Sequence, residues 1–349
     1  MDIAMRLLRM LGGVAIFLYG MKLMSRGIQQ SAGAGVRNLF KKLSRNRVMD
    51  YGVGIAASSI AHSSATSIVT IGLVDAGLVG VRQGAGIILG AKIGTTLTAF
   101  LFALSGASGG AFSVSALFAA LAFAGVAISF STDKESLNKI ALFLMGFGML
   151  FIGLEVMEFA IGGGDSALSM AFTRLFQRDA LHNPMLLMLL SAVFTGLVLQ
   201  SSTAATGVFL VFLATGVVQS LDQAFFLIMG ANIGTCSDGL LASIGANHRA
   251  KRVALFHLLT SAIGACAFAL VLILFRAPVL GLFQRLFGDN PLWSFATYNL
   301  AYNTAYTLLL PLRDPLLRFA SRFVRPSHPK YSQIIQCPQH HDKQAQQGR

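Results

Sequence analysis

An amide and four hydroxyls interrupt a strongly apolar part of the chain at Gln200-Ser201-Ser202-Thr203-Ala204-Ala205-Thr206. This part of the chain lies between Asn183-Pro184 and Thr215-Gly216. Away from water, each polar group without a partner costs about 1–3 kcal/mol. A polar cluster of this density therefore predicts that the stretch binds a ligand.

The same pattern occurs 139 residues earlier, at Ala61-His62-Ser63-Ser64-Ala65-Thr66-Ser67. At an offset of 140 residues, Gly90-Ala91-Lys92-Ile93-Gly94-Thr95-Thr96 matches Gly230-Ala231-Asn232-Ile233-Gly234-Thr235-Cys236, and a weaker match aligns residues 20–24 with 153–157. These matches predict two copies of one unit. We assign the first transmembrane repeat to residues 1–139, the second, inverted repeat to 140–278, an additional C-terminal membrane helix region to 279–312 and a basic cytoplasmic tail to 313–349.

The composition is that of a membrane protein. Mean hydropathy is +0.67, 54% of the residues are hydrophobic and only 12% are charged, which is about half the charged share of soluble domains. Five apolar runs are long enough, or nearly so, for a span of about 20 residues. They are residues 11–24, 111–130, 140–161, 253–275 and 292–310. The expected fold is an all-α polytopic membrane protein whose main surroundings are the lipid bilayer.

The basic residues predict the orientation of the chain in the membrane. We take each repeat as a span, a re-entrant hairpin, a broken span and a third span. Nineteen of the 27 lysines and arginines then lie on one side and six on the other, with Lys22 and Lys92 inside the membrane. The positive-inside rule makes the richer side cytoplasmic, with the N-terminus outside and the C-terminus inside a bacterial inner membrane. The net charge of +13 therefore reflects topology, and no nucleic-acid partner is expected.

Each unit has an odd number of crossings, so the second copy should be inserted upside down. Polar hairpin tips are expected at residues 58–64, with Ser58, Ser59, His62, Ser63 and Ser64, and at residues 200–203, and discontinuities in the following spans at residues 90–94 and 230–234. Many secondary transporters build a midplane substrate site from such inverted repeats and interrupted helices. Helix N-termini after each break would direct N–H groups at an anion.

The two polar tips, each followed by a Gly-Ala-Asn-Ile-Gly-Thr-Thr-like stretch, and Gly20-Met21-Lys22-Leu23-Met24 at the end of the first helix resemble the type II sodium-phosphate cotransporter family, bacterial branch. The resemblance covers about residues 11–275. It implies a secondary active transporter of inorganic phosphate, with sodium as the coupling ion and no other cofactor, that works by alternating access between the tips. Many bacterial members also carry a long cytosolic regulatory domain, which this chain is too short to contain. A homo-oligomer or a separate cytosolic regulatory protein is therefore an expected partner.

The resemblance also implies site residues, carried over by position. They are Gln200, Ser201, Ser202, Thr203, Thr206, Asn232 and Thr235 in the second motif pair, and Ser63, Ser64, Thr66, Thr95 and Thr96 in the first. Sodium is expected at Gln200, Ser201, Ser202 and Asn232.

The departures from the family pattern cluster in the same places. Ala61 and His62 replace glutamine and serine, Lys92 replaces asparagine, Cys236 replaces threonine, and Asp238 stands where the other copy has Thr98. An ionisable residue inside the membrane is a functional candidate by default. We therefore expect His62, Lys92 and Asp238 to take part in charge coupling, with Asp238, or else Asp75, as the counter-charge of Lys92.

Two alternatives remain open from the sequence. The same scaffold could move phosphate or another oxyanion outward or together with protons, using His62, Lys92 and Asp238. An intramembrane hydrolase built on Ser63 and His62 is disfavoured, because adjacent residues on a helix point about 100° apart and cannot form a nucleophile–base pair. The chain is therefore predicted not to be an enzyme.

Overall fold

A computed structural model describes residues 3–41, 46–106, 114–132, 134–162, 166–288 and 290–324. All regular secondary structure in these residues is helical, which confirms the all-α prediction. Five stretches are long and apolar enough to cross a membrane: Ile3–Met24, Val81–Leu104, Glu135–Ile161, Leu221–Ala242 and His248–Leu274. Pro184–Leu199 and Ser202–Ala214 would together form a sixth, but they are bent by 120°.

Six helices fall in the first predicted repeat: α1 (Ile3–Lys41), α2 (Arg47–Ala61), α3 (Ser63–Asp75), α4 (Val81–Gly94), α5 (Thr96–Gly106) and α6 (Val114–Ser131). The second contains α7 (Glu135–Ile161), α8 (Ala167–Phe176), a 3₁₀ turn (Asp179–His182), α9 (Pro184–Phe194), a π-helix (Thr195–Leu199), α10 (Ser202–Ala214), α11 (Leu221–Gly234), α12 (Cys236–Ala242) and α13 (His248–Leu274). The C-terminal part contains α14 (Arg276–Phe287), α15 (Pro291–Ala305), a 3₁₀ turn (Tyr306–Leu309) and α16 (Arg313–Phe323).

Asparagine caps fix where several helices begin. The side-chain oxygens of Asn183, Asn247 and Asn290 accept hydrogen bonds from first-turn N–H groups of α9, α13 and α15. Pro184 and Pro291 occupy the first positions of α9 and α15, where a missing N–H costs nothing. These signals were readable in the sequence, and they place the start of the second hairpin directly after Asn183.

The two predicted hairpin tips are sharp turns of the backbone. His62 joins α2 to α3 with φ of 64°, and Gln200 joins the π-helix to α10 with φ of 49°. These are the two non-glycine residues with positive φ in the described chain. Such conformations, like π-helical turns, are concentrated at functional sites. The backbone therefore marks the same two places as the polar residues.

Both hairpins are re-entrant. Along α2 and α4, contacts advance in the same direction, from Asp50 against Gly86 to Ser58 against Gly94. These two helices are therefore parallel, so α3 must return to the end from which α2 entered. In the second repeat, the contacts of α9 and α11 advance in the same way, from Met188 against Gly230 to Ala192 against Gly234.

The hairpins enter the bundle from opposite ends. At the base of the first, the Asp75 Oδ1 atom accepts a hydrogen bond of 2.7 Å from the backbone N–H of Asn247, just before α13. Near the base of the second, Asp222 pairs with Arg276 at 2.8 Å, just after α13. The 27 residues of α13 span about 40 Å. The two bases therefore lie at opposite ends of one helix, as an inverted arrangement requires.

The breaks in the following spans differ from the prediction. Residues 90–94 and 230–234 are helical, and Val81–Leu104 and Leu221–Ala242 each continue as one span. The regular helix pattern is interrupted for one residue, at Thr95 and Thr235, which keep right-handed helical backbone angles. The glycines serve close packing instead. A Cβ at Gly90 would overlap the Tyr51 carbonyl oxygen, and one at Gly230 would overlap that of Met188. Small residues at helix contacts allow backbones in a membrane to approach in this way.

The first helices of the two repeats pack directly on each other. Gly13 of α1 lies against Met157 of α7, Gly20 lies against Leu150, and Gly27 lies against Phe143. The residue numbers in these contacts rise along α1 and fall along α7, so the two helices are antiparallel. Their glycine faces bring the two backbones into contact and join the repeats.

The segment predicted as a basic tail begins with a folded helix. Arg313, at the start of α16, is buried and lies 3.7 Å from Asp50 of α2. Residues 325–349 lie outside the described part of the chain. The predicted boundary at residue 140 falls inside α7, which starts at Glu135 after Lys134.

Candidate functional site

The two hairpin tips meet. The hydroxyl oxygens of Ser63 and Ser202 lie 3.3 Å apart, and either can be the donor. Ser63 opens α3 and Ser202 opens α10, so the N-termini of both helices converge on this contact. Helix N-termini present free N–H groups and the positive end of the helix dipole. The contact between the tips thus creates a place that favours an anion.

The second tip is held by its cap and by α1. Ser201 is the N-cap of α10, and its hydroxyl accepts a hydrogen bond of 3.3 Å from the Ala204 N–H. The same hydroxyl contacts the Met21 sulfur at 3.5 Å. Ser201 and Ser202 are 8% and 7% exposed, whereas the Gln200 side chain is exposed. The serines are therefore enclosed, and Gln200 stands at the edge of the tip.

Five of the predicted site hydroxyls are satisfied by backbone carbonyls that lie close by in the sequence. Each donates to a backbone carbonyl three or four residues earlier. The pairs are Thr66 to His62 at 2.8 Å, Thr95 to Lys92 at 2.9 Å, Thr96 to Ile93 at 2.7 Å, Thr206 to Ser202 at 2.8 Å and Thr235 to Asn232 at 3.2 Å. This local bonding is common for threonine in helices. Because these hydroxyls already have hydrogen-bond partners, the burial of these threonines does not by itself indicate a ligand. Thr203 is also buried, on the first turn of α10.

Asn232 and Lys92 occupy equivalent positions but have different surroundings. The Asn232 amide nitrogen donates to the Ile228 carbonyl at 2.9 Å, which leaves its side-chain oxygen available as an acceptor. Lys92 is 3% exposed, and its Nζ lies 4.7 Å from the centre of the Tyr306 ring. Within the described residues Lys92 makes no ion pair. Its amino group is buried and rests on an aromatic face.

Asp238 and Asp75, the expected counter-charges of Lys92, form no ion pair with it in the described residues. Asp238 is buried and has Ser64 of the first hairpin tip as its hydrogen-bonding neighbour, while its Oδ2 has no partner in the described structure. Asp75 caps the region before α13, at the far end of the 13-residue helix α3, about 18 Å along the helix from the tip. The structure therefore brings Asp238 to the tips and leaves Asp75 outside the site.

His62 belongs to the first tip through its backbone. Its N–H donates to the Ser58 carbonyl at 2.9 Å and its carbonyl accepts from Thr66. The ring Nε2 is buried without a hydrogen-bond partner in the described residues, and the Ser63 hydroxyl is paired with Ser202 instead. The serine–histidine pair that a hydrolase would need is therefore not formed.

The sequence is similar to known proteins of one family. The family model described as Na+/Pi-cotransporter matches residues 16–159 and 165–288, which include both hairpins and the spans that follow them. The chain belongs to the Na+/Pi-cotransporter family. Together with its long apolar helices, this membership makes it a multi-pass membrane protein of a transporter family.

Two curated relatives are similar to this chain over most of its length. YjbB of Salmonella typhimurium, provisionally named as an inorganic phosphate export protein, is 26% identical over 328 residues, which cover 91% of this chain and 56% of YjbB. The chain thus spans about half the length of that relative. The uncharacterized protein YqeW of Bacillus subtilis is 25% identical over 308 residues, which cover 87% of this chain and 94% of YqeW. None of the solved structures matches the chain.

In this Na+/Pi-cotransporter family member, α13, α15 and the 3₁₀ turn after α15 supply polar groups that sequence reasoning missed. The Cys236 thiol lies 2.9 Å from the Ser261 hydroxyl, and the Tyr306 hydroxyl donates to the Ser261 carbonyl at 3.3 Å. Tyr302 and Tyr306 share a hydrogen bond of 2.8 Å. His257, one turn before Ser261, is buried, and its Nδ1 has no partner among the described atoms.

A signal for these residues was present in the sequence. His257 and Ser261 lie four residues apart inside an apolar span, and Tyr298, Tyr302 and Tyr306 also follow one another at intervals of four. Polar groups at this spacing share one face of a helix. The additional helix region therefore contributes to the surroundings of Lys92, although it lies outside both repeats.

Proposed function

We propose that the chain is a secondary active transporter that binds inorganic phosphate between its two hairpin tips. The observation that carries this proposal is the contact of 3.3 Å between Ser63 and Ser202, made by hairpins that enter from opposite ends of the bundle. A site placed between two such hairpins can be opened toward either end in turn, which is the principle of alternating access. The family name and the name of YjbB support phosphate as the substrate.

The chemistry of the tips suits a phosphate group. The hydroxyls of Ser63 and Ser202 can each donate to a phosphate oxygen once they separate from each other, and both start helices whose first N–H groups face the tips. Anions bind readily where helix N-termini and hydroxyls converge. Ser64, Ser201 and Thr203 lie on the same first turns, and they form the wall of the proposed site.

Sodium would bind on the side of the second repeat. The Asn232 side-chain oxygen, the Gln200 carbonyl and the hydroxyls of Ser201 and Ser202 are oxygen ligands of the type that sodium takes in transporters. In the first repeat Lys92 replaces the equivalent asparagine and would supply a positive charge when it is protonated. We infer one sodium half-site and one half-site in which a tethered ammonium takes the place of the ion.

The chain would sit in a bacterial inner membrane with its N-terminus outside and its C-terminus in the cytoplasm. Arg47, Arg82 and Arg313 gather around Asp314 at the end where the first hairpin is based. Clusters of arginine at a membrane surface mark the cytoplasmic side. A homo-oligomer or a separate cytosolic regulatory protein remains part of this proposal.

A second candidate is outward or proton-linked transport of phosphate or another oxyanion on the same scaffold. It is favoured by the name of YjbB and by the buried ionisable groups that lie around the site, with Asp238 at the tips and Lys92 and His257 behind them. Exchange of protons at these groups could replace exchange of sodium. The two candidates share a substrate and differ in the coupling ion or the direction.

Transport in proteoliposomes tests both candidates. The purified chain is reconstituted, and uptake of labelled phosphate is followed under an imposed sodium gradient and, separately, under a pH gradient, each applied in both directions. Accumulation driven by inward sodium alone supports the first candidate, and accumulation driven by a pH gradient supports the second. Absence of phosphate movement under all four gradients and in exchange against internal phosphate contradicts both.

A further inference from the structure

A cleft lies apart from the hairpin tips, at the end of the bundle where the first hairpin is based. It has a volume of about 470 Å³ and is formed by residues of α4, α13 and α16. Its polar lining is Arg82 from α4, Arg252 from α13, and Asp314, Arg318 and Ser321 from α16. Three arginines from three different helices thus face one space.

The charge in this cleft is not balanced. The Asp314 carboxylate is shared by Arg47 at 2.9 Å, Arg82 at 3.3 Å and Arg313 at 3.5 Å. Arg252 donates from Nε to the Val324 carbonyl at 3.1 Å and has no carboxylate partner within the described chain. The Arg318 side chain makes neither an ion pair nor a hydrogen bond there. Two guanidinium groups therefore remain available for an anion.

The neighbouring surface is apolar. Val81 and Leu317 line the cleft together with the arginines. On the same helix as Leu317, Phe319 and Phe323 are 42% and 69% exposed. An amphipathic helix with exposed aromatic rings at the end of a membrane bundle lies in the interface between lipid headgroups and acyl chains. On α16 these phenylalanines lie on the face opposite the four residues that line the cleft, so they place the helix at the membrane surface but do not form part of the cleft wall.

We propose that this cleft is a second anion site, which binds a phosphate group through Arg252 and Arg318. Guanidinium groups bind phosphate through paired hydrogen bonds, and the Ser321 hydroxyl can add another. This phosphate can be the headgroup of an anionic phospholipid, since the cleft lies at the end of the bundle, or free inorganic phosphate, because arginines recognise both by the same chemistry. An occupant would hold α13 and α16 against the start of the first broken span.

Lipid binding to the full chain tests the proposal. Native mass spectrometry measures the affinity of the detergent-purified protein for phosphatidylglycerol and for phosphatidylcholine. The double variant Arg252→Gln with Arg318→Gln should bind phosphatidylglycerol about 25-fold more weakly, at about fivefold for each arginine. The matched control is Arg249→Gln with Arg322→Gln, which removes the same charge from the same two helices outside the cleft. The control should change this affinity less than about twofold, since screened charges outside the cleft contribute little.

Further measurements identify the source of the bound phosphate group and show whether the cleft is separate from the hairpin tips. If phosphatidylglycerol and phosphatidylcholine bind equally to the wild type, but inorganic phosphate stabilises it against heat and the cleft variant loses this effect, the bound group is free phosphate. Ser202→Ala should leave phosphatidylglycerol binding unchanged, because the cleft is separate from the tips. Equal weakening in the cleft variant and its control would overturn the proposal, as would a wild type that prefers neither the anionic lipid nor phosphate.

Discussion

Ser63 and Ser202, whose hydroxyl oxygens lie 3.3 Å apart, occupy equivalent positions in the two repeats. Equivalent residues of two inverted units touch each other only near the axis that relates the units. The contact therefore places this axis between the hairpin tips. The two tips nevertheless differ. The positive φ falls at His62 in the first tip and at Gln200 in the second, which are not equivalent positions, and in the described residues a π-helix precedes the second tip but not the first. The side chains differ as well, since His62 aligns with Ser201 and Lys92 aligns with Asn232.

Replacing Ser202 by alanine should lower phosphate transport by about tenfold or more, because a hydrogen bond to a charged group contributes about 1.5–3 kcal/mol. Ser201→Ala should act in the same direction and also weaken the cap of α10. Initial rates in proteoliposomes measure the effect. The matched control is Thr215→Val, which removes a hydroxyl bonded only to carbonyls of its own helix at the base of the same hairpin. Wild-type affinity in both serine variants would place the substrate elsewhere.

Lys92→Asn should weaken phosphate binding at low sodium and steepen the sodium dependence, because it removes a fixed cation and restores the residue of the equivalent position. The Hill slope for sodium should rise toward that of a carrier with two half-sites. Lys92→Met serves as the comparison, since it removes the charge without supplying an amide oxygen. It should weaken phosphate binding without the steeper sodium dependence. If Lys92→Asn leaves both quantities unchanged, the lysine has only a structural role.

Gly54→Ala should destabilise the protein, because the new Cβ would overlap the Ile87 carbonyl oxygen where α2 packs on α4. Forcing apart packed backbones costs about 1–3 kcal/mol or more. The expected result is a lower thermal midpoint of the detergent-purified chain. Gly52→Ala is the control on the same helix, where an added Cβ meets nothing within 4 Å. Equal midpoints for the two variants would argue against the parallel packing of α2 and α4.

Single cysteines should confirm the orientation. In a background without Cys236, Cys266 and Cys337, Lys251→Cys should react with an impermeant thiol reagent only from the cytoplasm, and Gln284→Cys only from outside. Both side chains are exposed, and they lie near opposite ends of α13. Labelling of both positions from one side would be incompatible with the proposed topology.

Much of the fold could be predicted because a chain that crosses a lipid bilayer can adopt few kinds of backbone structure. The apolar runs, the repeat of the Ser63 and Ser202 stretches and the asparagine caps each have a direct structural meaning, and the re-entrant hairpins followed from the distribution of arginine and lysine. The position of the breaks could not be predicted from glycine alone. Glycine can either loosen a helix or let a second backbone approach, and at Gly90 and Gly230 the second use prevails.

The site was predicted only in part for a related reason. Sequence shows that a hydroxyl is present but not which acceptor it meets, so the internally bonded Thr66 and Thr206 looked the same as Ser63 and Ser202. Lys92 was recognised as unusual, but its surroundings come from α13, α15 and the 3₁₀ turn after α15, far away in the chain. The proximity of Tyr306 depends on how these helices pack, and no local pattern encodes that.

The glycine contact between α1 and α7 has a consequence for how the protein is made. When α1 enters the membrane, its partner surface around Gly146 and Gly153 has not yet been synthesised. Until the ribosome has passed residue 161, the glycine face of α1 can meet only lipid or an insertion factor. The first repeat therefore cannot complete its packing before the second repeat has begun to form. The contact between α1 and α7 can form only after α7 has been synthesised, so the packing of the first half is completed late in synthesis.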